Sequence, residues 1–165
     1  MLELKYEPHH LLHKKVQEFK FDGSDPELLE KSMIDIMRAN KGLGLAANQV
    51  DLDQRVFVMG SHDISGFCKP QIFINPYITK YSEESSLDTE GCLSFPGLYM
   101  KIKRPSIIEV VFQEKNGNIF EARIDGYMAK AFQHELDHLD GICFTDKVSK
   151  TKLDMAIKKL TKDRR

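Results

Sequence analysis

The sequence lacks several features that would each assign it to a particular class of protein. An excess of one charge is absent, because 24 lysines and arginines balance 25 aspartates and glutamates. The net charge of −1 argues against a general nucleic-acid binder or a specific DNA-binding protein. Cysteine is scarce, and an odd number, three, without regular spacing suggests a reducing compartment rather than a disulfide framework. No apolar run is long enough to cross a bilayer, and the N-terminal residues have no signal-peptide core. We therefore expect a soluble cytoplasmic protein without a membrane partner.

The length of the chain fits one globular domain. At 165 residues, 41% hydrophobic and 30% charged, it can bury about 70% of the surface that the unfolded chain exposes. No internal repeat or low-complexity linker divides the sequence. We expect a single domain over residues 1–165, in which residues 147–165 form a basic helical segment.

The pattern of apolar residues predicts an α+β fold, with antiparallel strands packed around a central helix. An N-terminal helix begins at Asp25 and Pro26 and ends before Gly42, because Asp caps helix starts and Pro favours the first turn. Its apolar stripe consists of Leu28, Leu29, Met33, Ile36 and Met37.

The remaining elements follow from β-branched residues, turns and caps. Asn116–Gly117 predicts a two-residue hairpin turn, and a further strand carries Cys92. The central helix begins near Asp125 and ends at Gly141, which supplies a left-handed cap. Strands are predicted at residues 55–59, 71–75, 107–113 and 119–124.

The central helix carries the most informative motif, His-Glu-Leu-Asp-His at residues 134–138. Residues four apart lie on one helical face, so His134 and His138 can bind one metal ion. Glu135 follows the first ligand at a position from which its carboxylate can reach a water molecule held by the ion. The motif favours a metal hydrolase, while the alternative is a solvated helix face whose charges pair along the surface.

A catalytic metal site needs a third protein ligand and one open position. Neither Glu nor His occurs after His138, and position 144 is Phe144, so the familiar downstream ligands are excluded. Cys92 is the best candidate because Gly91 lets the backbone approach the ion closely, although a buried thiol often only fills space. The other candidates are Cys68, Cys143, His62, His9, His10 and His13.

Residues 42–49, Gly-Leu-Gly-Leu-Ala-Ala-Asn-Gln, form a second small-residue segment. Its glycines and alanines admit another backbone closely, and the Gln49 amide can donate a hydrogen bond to a developing oxyanion. The alternative is an ordinary loop after the first helix, with the alanines as packing residues.

Three ordered blocks together, GLGLAANQ at 42–49, EGCLS at 90–94 and QHELDH at 133–138, resemble the signature motifs of the peptide deformylases. One block alone is weak, but the three supply all the ligands, the base and the oxyanion donor. The resemblance extends over nearly the whole chain and includes the Asn75–Pro76 and Arg104–Pro105 steps.

The resemblance implies roles for individual residues. Glu135 is the general base, while the Gln49 amide and the Leu93 backbone N–H stabilise the oxyanion. Asp137 supports the site or lies on the helix surface and is not a ligand. One divalent metal ion, iron(II) by preference with zinc, nickel or cobalt possible, is held by Cys92, His134 and His138.

The implied substrate is the N-formylmethionyl end of a newly made polypeptide, and the products are formate and a free α-amine. A formyl carbon carries only hydrogen, so a narrow approach beside the metal admits it and excludes bulkier acyl groups. Room for the peptide backbone and an apolar slot for its first side chain are expected at Gly42, Leu43, Gly44, Gly91, Leu93, Tyr127 and Ala131.

Two positions depart from the commonest pattern of the family. Tyr99 stands where many bacterial members carry an arginine, whose partner Glu90 is present, so the sequence leaves open how Glu90 is held. Lys130 lies in a segment that is usually apolar, and it either extends outward or narrows the mouth of the pocket.

The basic segment at residues 147–165 allows two interpretations. It carries eight lysines or arginines against Asp154 and Asp163, with an apolar stripe of Leu153, Ile157 and Leu160. The segment is either a helix docked on the body or, as bacterial members of the family imply, a contact with ribosomal RNA phosphates.

Two other function classes share parts of this pattern. A peptide-bond metalloprotease uses the same metal, water and glutamate, but Cys92 replaces its usual third ligand. A catalytically silent module with a structural metal has no use for a base at Glu135 or a donor at Gln49. The sequence therefore favours a deformylase.

Overall fold

The computed structural model describes residues 2–163, which form seven strands, three α-helices and three short 3-10 turns. The helices are α1 (Pro26–Ala39), α2 (Gly126–Leu139) and α3 (Lys150–Asp163). The strands are β1 (Gly44–Ala46), β2 (Val56–Met59), β3 (Gln71–Tyr81), β4 (Ser85–Cys92), β5 (Phe95–Pro105), β6 (Ile107–Gln113) and β7 (Ile119–Asp125).

The strands form two antiparallel sheets around α2. Five strands lie in the order β1-β2-β3-β6-β7, and β4 pairs with β5 in a separate hairpin. The α2 side chain Phe132 packs edge-on against Phe57 of β2 and Phe73 of β3, with ring centroids 5.0 and 5.5 Å away. Such edge-to-face packing is favourable for aromatic rings. The predicted α+β fold with a central motif helix is confirmed in its class.

Helix α1 begins where the sequence predicts. Asp25 accepts a hydrogen bond from the Leu28 N–H at 3.1 Å, and Pro26 occupies the first helical position. Met33 and Met37 are buried, but Leu28 is 61% exposed, so the predicted stripe is wrong at that residue. The first turn projects beyond the core, and the helix delivers the chain to residues 42–49.

Part of the Gly-rich segment is a strand and not the loop that was the alternative reading. Gly44 pairs with Met59 and Ala46 with Phe57, which places β1 at the edge of the larger sheet. The following residues Ala47–Val50 form a 3-10 turn that is completely buried. Small side chains here let α2 pack directly on the strand.

Two predicted strand features are wrong for local reasons. Strand β3 was predicted to end at Asn75 but continues to Tyr81. Asn75 takes a positive φ of 47°, and the register of the pairing with β6 shifts between Ile74 and Tyr77, after which the two strands pair again. The β6–β7 turn has three residues and not two, since Glu114 N–H still bonds the Asn118 carbonyl at 2.9 Å. Only Gly117 there takes a positive φ, whereas a two-residue turn of this kind needs two such residues.

Helix α2 ends as predicted, with a left-handed Gly141 after Asp140. A side chain at Gly141 would overlap the backbone of His13 and Lys14, so this glycine also permits the N-terminal segment to cross closely. Val16 N–H donates to the Leu139 carbonyl at 3.0 Å and continues this contact.

Helix α3 docks on the smaller sheet. Leu153, Ala156 and Leu160 pack on a cluster that includes Met100 and Phe144. Ile157 is 45% exposed, so its predicted place in the buried stripe is wrong. The basic residues Arg164 and Arg165 lie outside the described residues. Between residues 2 and 163, no helix has both the length and the apolar character of a membrane span.

Candidate metal centre

Helix α2 presents both motif histidines to the interior. His134 and His138 are 9% and 1% exposed, and their ring centroids lie 5.0 Å apart at a steep interplanar angle of 75°. Residues four apart on a helix share a face, so the helix itself sets this spacing. The structure therefore aims two imidazoles at one point.

Cys92 approaches that point from the end of β4. The pairing of β4 with β5 shifts its register between Gly91 and Cys92, where residues 96–98 of β5 are left without partners on β4. The Cys92 Sγ atom lies 3.2 Å from His138 Nε2, and one donor atom from each of Cys92, His134 and His138 falls within 4.8 Å of the others. A thiolate and two imidazoles form a donor set suited to a first-row divalent metal.

The charges around this trio also fit a divalent cation. Burial opposes protonation of His134, but the Cys92 sulfur and the Glu90 carboxylate outweigh it and raise its pKa to about 10. The Cys92 sulfur and the Glu90 carboxylate would also favour a metal ion at this position. Burial and the neighbouring His134 lower the pKa of His138 well below its ordinary value, so its ring stays neutral and available as a ligand.

Glu90 and Arg104 fix the orientation of the His134 ring on the side away from Cys92. Glu90 accepts a hydrogen bond from His134 Nδ1 at 3.0 Å, and Arg104 binds both Glu90 oxygens at 2.5 and 3.0 Å. Arg104 also donates to Asp137 at 2.8 Å. Burial opposes the ionised Glu90 carboxyl, but hydrogen bonds from His134 and Arg104 lower its pKa to about 2. Arg104 therefore anchors Glu90, which answers the question raised by Tyr99.

The sequence did not indicate the role of Arg104 at this site. Arg104 is 3% exposed and faces inward from β5, a strand that was not predicted as such. The alternation of buried Leu98, Met100, Ile102 and Arg104 with exposed neighbours is the signal that would have placed it.

Glu135 lies beside the trio with one oxygen unsatisfied. The side chain is 4% exposed, and Oε2 has no hydrogen-bond partner within the described part of the chain. Burial raises its pKa to about 7, which is the range that a general base requires near neutral pH. A Cβ atom at Gly44 would overlap the Glu135 carboxyl, so glycine at this position lets Glu135 lie directly against β1.

The amide nitrogen of Gln49 also faces the group formed by Cys92, His134 and His138. Gln49 is 1% exposed, and its Oε1 accepts the Ala46 N–H at 2.9 Å. The amide nitrogen Nε2 lies 3.1 Å from Ser94 Oγ and 3.5 Å from Cys92 Sγ. Leu93 lies between Cys92 and Ser94 at the turn of the β4–β5 hairpin, so the structure brings its backbone next to the same centre.

A cleft of about 610 Å³ opens over these groups. Leu93 and Tyr99 fill the space that Gly42 and Gly91 leave, because a Cβ at either glycine would come within 2.7 Å of those side chains. Glycine at these two positions therefore lets Leu93 and Tyr99 pack closely on the walls of the cleft. The cleft is lined by each residue expected to bind substrate, namely Gly42, Leu43, Gly44, Gly91, Leu93, Tyr127 and Ala131.

Lys130 narrows the mouth of the cleft and does not extend outward. Its side chain is 12% exposed and forms an ion pair with Asp88. The ammonium nitrogen also lies 5.2 Å from the centre of the Tyr127 ring. The cleft wall therefore contains the ion pair of Lys130 with Asp88, and the methylene groups of Lys130 add apolar surface to the wall.

The other candidate ligands lie apart from the trio. Cys68 approaches the Met59 carbonyl at 3.6 Å, and His62 lies exposed in the loop after β2. His9 pairs with Asp51 at 3.4 Å, and His10 is exposed. His13 and Cys143 lie elsewhere, in a second group that is described below.

Comparison with known proteins agrees with this geometry. The family model for polypeptide deformylase matches residues 1–154. A peptide deformylase of Zymomonas mobilis is 42% identical over 149 residues, which cover 88% of this chain and 84% of the relative. One of Pelagibacter ubique is 38% identical over 156 residues, covering 94% and 91%.

Solved structures show the same likeness. The crystal structure of peptide deformylase from Ehrlichia chaffeensis superposes with a TM-score of 0.86 at 37% identity, covering 99% of this chain and 97% of that one. Sequence and fold therefore agree over nearly the whole length. The chain belongs to the polypeptide deformylase family, the metal-dependent hydrolases that remove the N-formyl group from newly made polypeptides.

Proposed function

We propose that this chain hydrolyses the formyl amide of N-formylmethionyl peptides at the centre formed by Cys92, His134 and His138. One observation carries the proposal. The buried carboxyl of Glu135 and the amide of Gln49 converge on this trio at the floor of an open cleft. A metal site that served only structure would have four protein ligands and no cleft.

The ligand trio fits a divalent metal, for which we propose iron(II), with zinc, nickel or cobalt as alternatives. When bound, the ion polarises the formyl carbonyl and makes water acidic enough to attack near neutral pH. Glu90 holds the His134 ring in the tautomer that leaves Nε2 for the metal. Arg104 keeps Glu90 ionised and in place.

Glu135 is the base in this proposal. Its unpaired Oε2 accepts the proton of the attacking water and later delivers it to the departing amine nitrogen. With a pKa raised by burial to about 7, the carboxyl can both take and release a proton near neutral pH. The enclosed position beside Gly44 keeps it directed at the reaction centre.

Gln49 and Leu93 stabilise the oxyanion that forms on the formyl oxygen. The Gln49 Nε2 group donates one hydrogen bond, and the Leu93 backbone N–H donates a second. In enzymes that hydrolyse amides or esters through an oxyanion, loss of one such donor lowers kcat by about 10²–10³-fold.

The cleft selects the substrate by its narrow floor and its apolar wall. Leu93 and Tyr99, packed on Gly42 and Gly91, restrict the space beside the trio and favour a formyl group over larger acyl groups. Leu43, Tyr127, Ala131 and the Lys130 stem provide apolar surface for the methionine side chain.

We further propose that the whole chain is one catalytic domain whose α3 contacts the ribosome. The exposed lysines of α3, Lys150, Lys152, Lys158, Lys159 and Lys162, face away from the docked Leu153, Ala156 and Leu160. A cytoplasmic location suits an enzyme that acts on chains as they are made and keeps Cys68, Cys92 and Cys143 as free thiols.

The decisive experiment uses three peptides and the iron(II)- or nickel-loaded protein. Formyl-Met-Ala-Ser should yield free amine and formate, while the acetylated peptide should not react. Unmodified Met-Ala-Ser should remain intact. Internal cleavage of any peptide would instead identify a peptide-bond protease, and no turnover of the formyl peptide would overturn the proposal.

A further inference from the structure

A second group of potential metal ligands lies outside the proposed catalytic centre. His13, Cys143 and Asp146 each offer one donor atom, and these atoms lie within 4.8 Å of one another. In a tetrahedral zinc site, bond lengths of about 2.0–2.3 Å place the ligand atoms roughly 3.3–3.8 Å apart. Movements of about 1 Å by exposed side chains would therefore close the group around an ion.

A fourth acidic group backs the histidine. Both carboxylate oxygens of Glu7 lie 2.9 Å from His13 Nε2. A carboxylate against one ring nitrogen orients an imidazole whose other nitrogen binds a metal. Glu7 can serve in this way or complete the ligand set as a fourth donor.

The backbone already holds these donors together. A Cβ atom at Gly141 would come within 2.9 Å of the His13 and Lys14 backbone, so the two segments are in direct contact. Asp146 Oδ2 accepts the Cys143 N–H at 2.8 Å. The Cys143 side chain is completely buried, and its Sγ lies 3.6 Å from the Leu12 carbonyl beside His13. Little ordering would be needed when an ion binds.

The donors of the group suit a divalent cation. A thiol that ligates a metal ion loses its proton on binding, so Cys143 would supply a thiolate to the ion. Carboxylates at Glu7 and Asp146 then neutralise part of the ion's charge.

We propose that His13, Cys143 and Asp146, supported by Glu7, bind a zinc ion that fastens the N-terminal segment to the chain after α2. The mixed sulfur, nitrogen and oxygen donors suit zinc. The fastened segment reaches the catalytic centre, since Lys5 N–H bonds the Gln49 carbonyl at 2.7 Å and Glu7 N–H bonds the Ser94 carbonyl at 3.0 Å. The ion therefore stabilises the backbone that carries the oxyanion donor.

The test counts two different metals in the same protein. The catalytic centre is loaded with nickel(II), one equivalent of zinc(II) is added, and unbound metal is removed before elemental analysis. We expect one nickel and one zinc for each chain. His13→Ala and Asp146→Asn should keep nickel and lose most of the zinc, and Asp146→Asn retains an oxygen that can cap Cys143.

Two control variants fix the location of the zinc. His10→Ala removes an exposed histidine of the same 3-10 turn, and Cys68→Ala removes a thiol outside the group; both should keep the zinc. Zinc should also raise the unfolding temperature of the parent but not of His13→Ala. Replacement of nickel by zinc with unchanged total metal, or equal zinc uptake by parent and His13→Ala, would overturn the proposal.

Discussion

Arg104 donates hydrogen bonds to both carboxylate oxygens of Glu90, although the two residues are fourteen positions apart on the two strands of the β4–β5 hairpin. Glu90 in turn accepts a hydrogen bond from His134 Nδ1. The guanidinium therefore acts on the proposed metal ligand through one intermediate, without contact to the metal itself. Residues that hydrogen-bond to metal ligands without binding the metal often change the affinity of the site for its metal.

Replacing Arg104 with lysine tests this relationship. Arg104→Lys keeps the charge but cannot bind two carboxylate oxygens in a planar fork, so metal affinity should fall by about 10–100-fold. Nickel binding by competition with a chelator measures the change. Lys103→Gln, an exposed neighbour on the same strand, is the control and should bind nickel normally. Unchanged affinity in Arg104→Lys would show that Glu90 needs no anchor.

The same carboxylate predicts a particular loss of stability in acid. In the metal-free protein the pKa of Glu90 is about 2, compared with an ordinary value of 4.5. A folded-state pKa below the unfolded one means that ionised Glu90 stabilises the fold above pH 4.5. This contribution, on the order of 3 kcal/mol, is lost as the pH falls towards 2.

Urea unfolding of the parent and Glu90→Gln between pH 7 and pH 3 checks this expectation. The difference between their free energies of unfolding should be largest at pH 7 and should shrink below pH 4.5. A difference that stays constant with pH would mean that the charge of Glu90 is not what stabilises the fold.

Glu135→Gln separates metal binding from proton transfer. The variant should retain nickel, because Glu135 is not among the ligand trio, and should lose about 10²–10⁴-fold in kcat as expected for loss of a general base. Metal analysis and turnover of formyl-Met-Ala-Ser provide the two measurements. Near-normal turnover would remove Glu135 from its proposed role.

Gly44→Ala should displace the same carboxyl without changing its chemistry. The added methyl overlaps Glu135, and a shift of about 1 Å in a reacting group can lower the rate by roughly 100-fold. Gly42→Ala is the comparison at a second position of the cleft wall, where the methyl meets the Leu93 side chain and not Glu135, so its effect should fall on KM more than on kcat. Comparable kcat values for the two variants, with unfolding temperatures equal to that of the parent, would contradict the expectation.

The basic face of α3 can be tested apart from its docking face. Changing Lys158, Lys159 and Lys162 to Gln should weaken a salt-sensitive association with ribosomes and leave turnover of a short formyl peptide unchanged. Leu160→Ala should instead lower the unfolding temperature, because Leu160 packs on the body. Ribosome association that survives the triple change would refute the proposed contact.

Much of the site could be read from the sequence because its chemistry is local. The four-residue spacing of His134 and His138 fixes a shared helical face, and the ordered blocks around Gln49 and Cys92 predicted the family and the reaction, which the comparisons confirm. The central helix and its Gly141 cap follow from periodicity and from the conformational freedom of glycine.

What the sequence did not reveal depends on pairing between distant segments. The residues near Arg104 and Asp88 do not indicate that their partners are Glu90 and Lys130. The sequence pattern of a strand is the same whether a charged side chain is solvated or forms an ion pair. The course of β3 past Asn75 likewise depends on its side chain, which binds the Phe19 backbone through both amide atoms.

The orientation of the Gln49 side chain has a consequence for the timing of catalysis. Turning the amide over would set its NH₂ group against the Ala46 N–H, two donors face to face, so the observed orientation is the one that the backbone permits. The amide therefore holds one orientation before any substrate arrives. In the mechanism that we propose, binding energy is then not needed to turn the Gln49 amide towards the oxyanion, and the donor is organised before the chemical step.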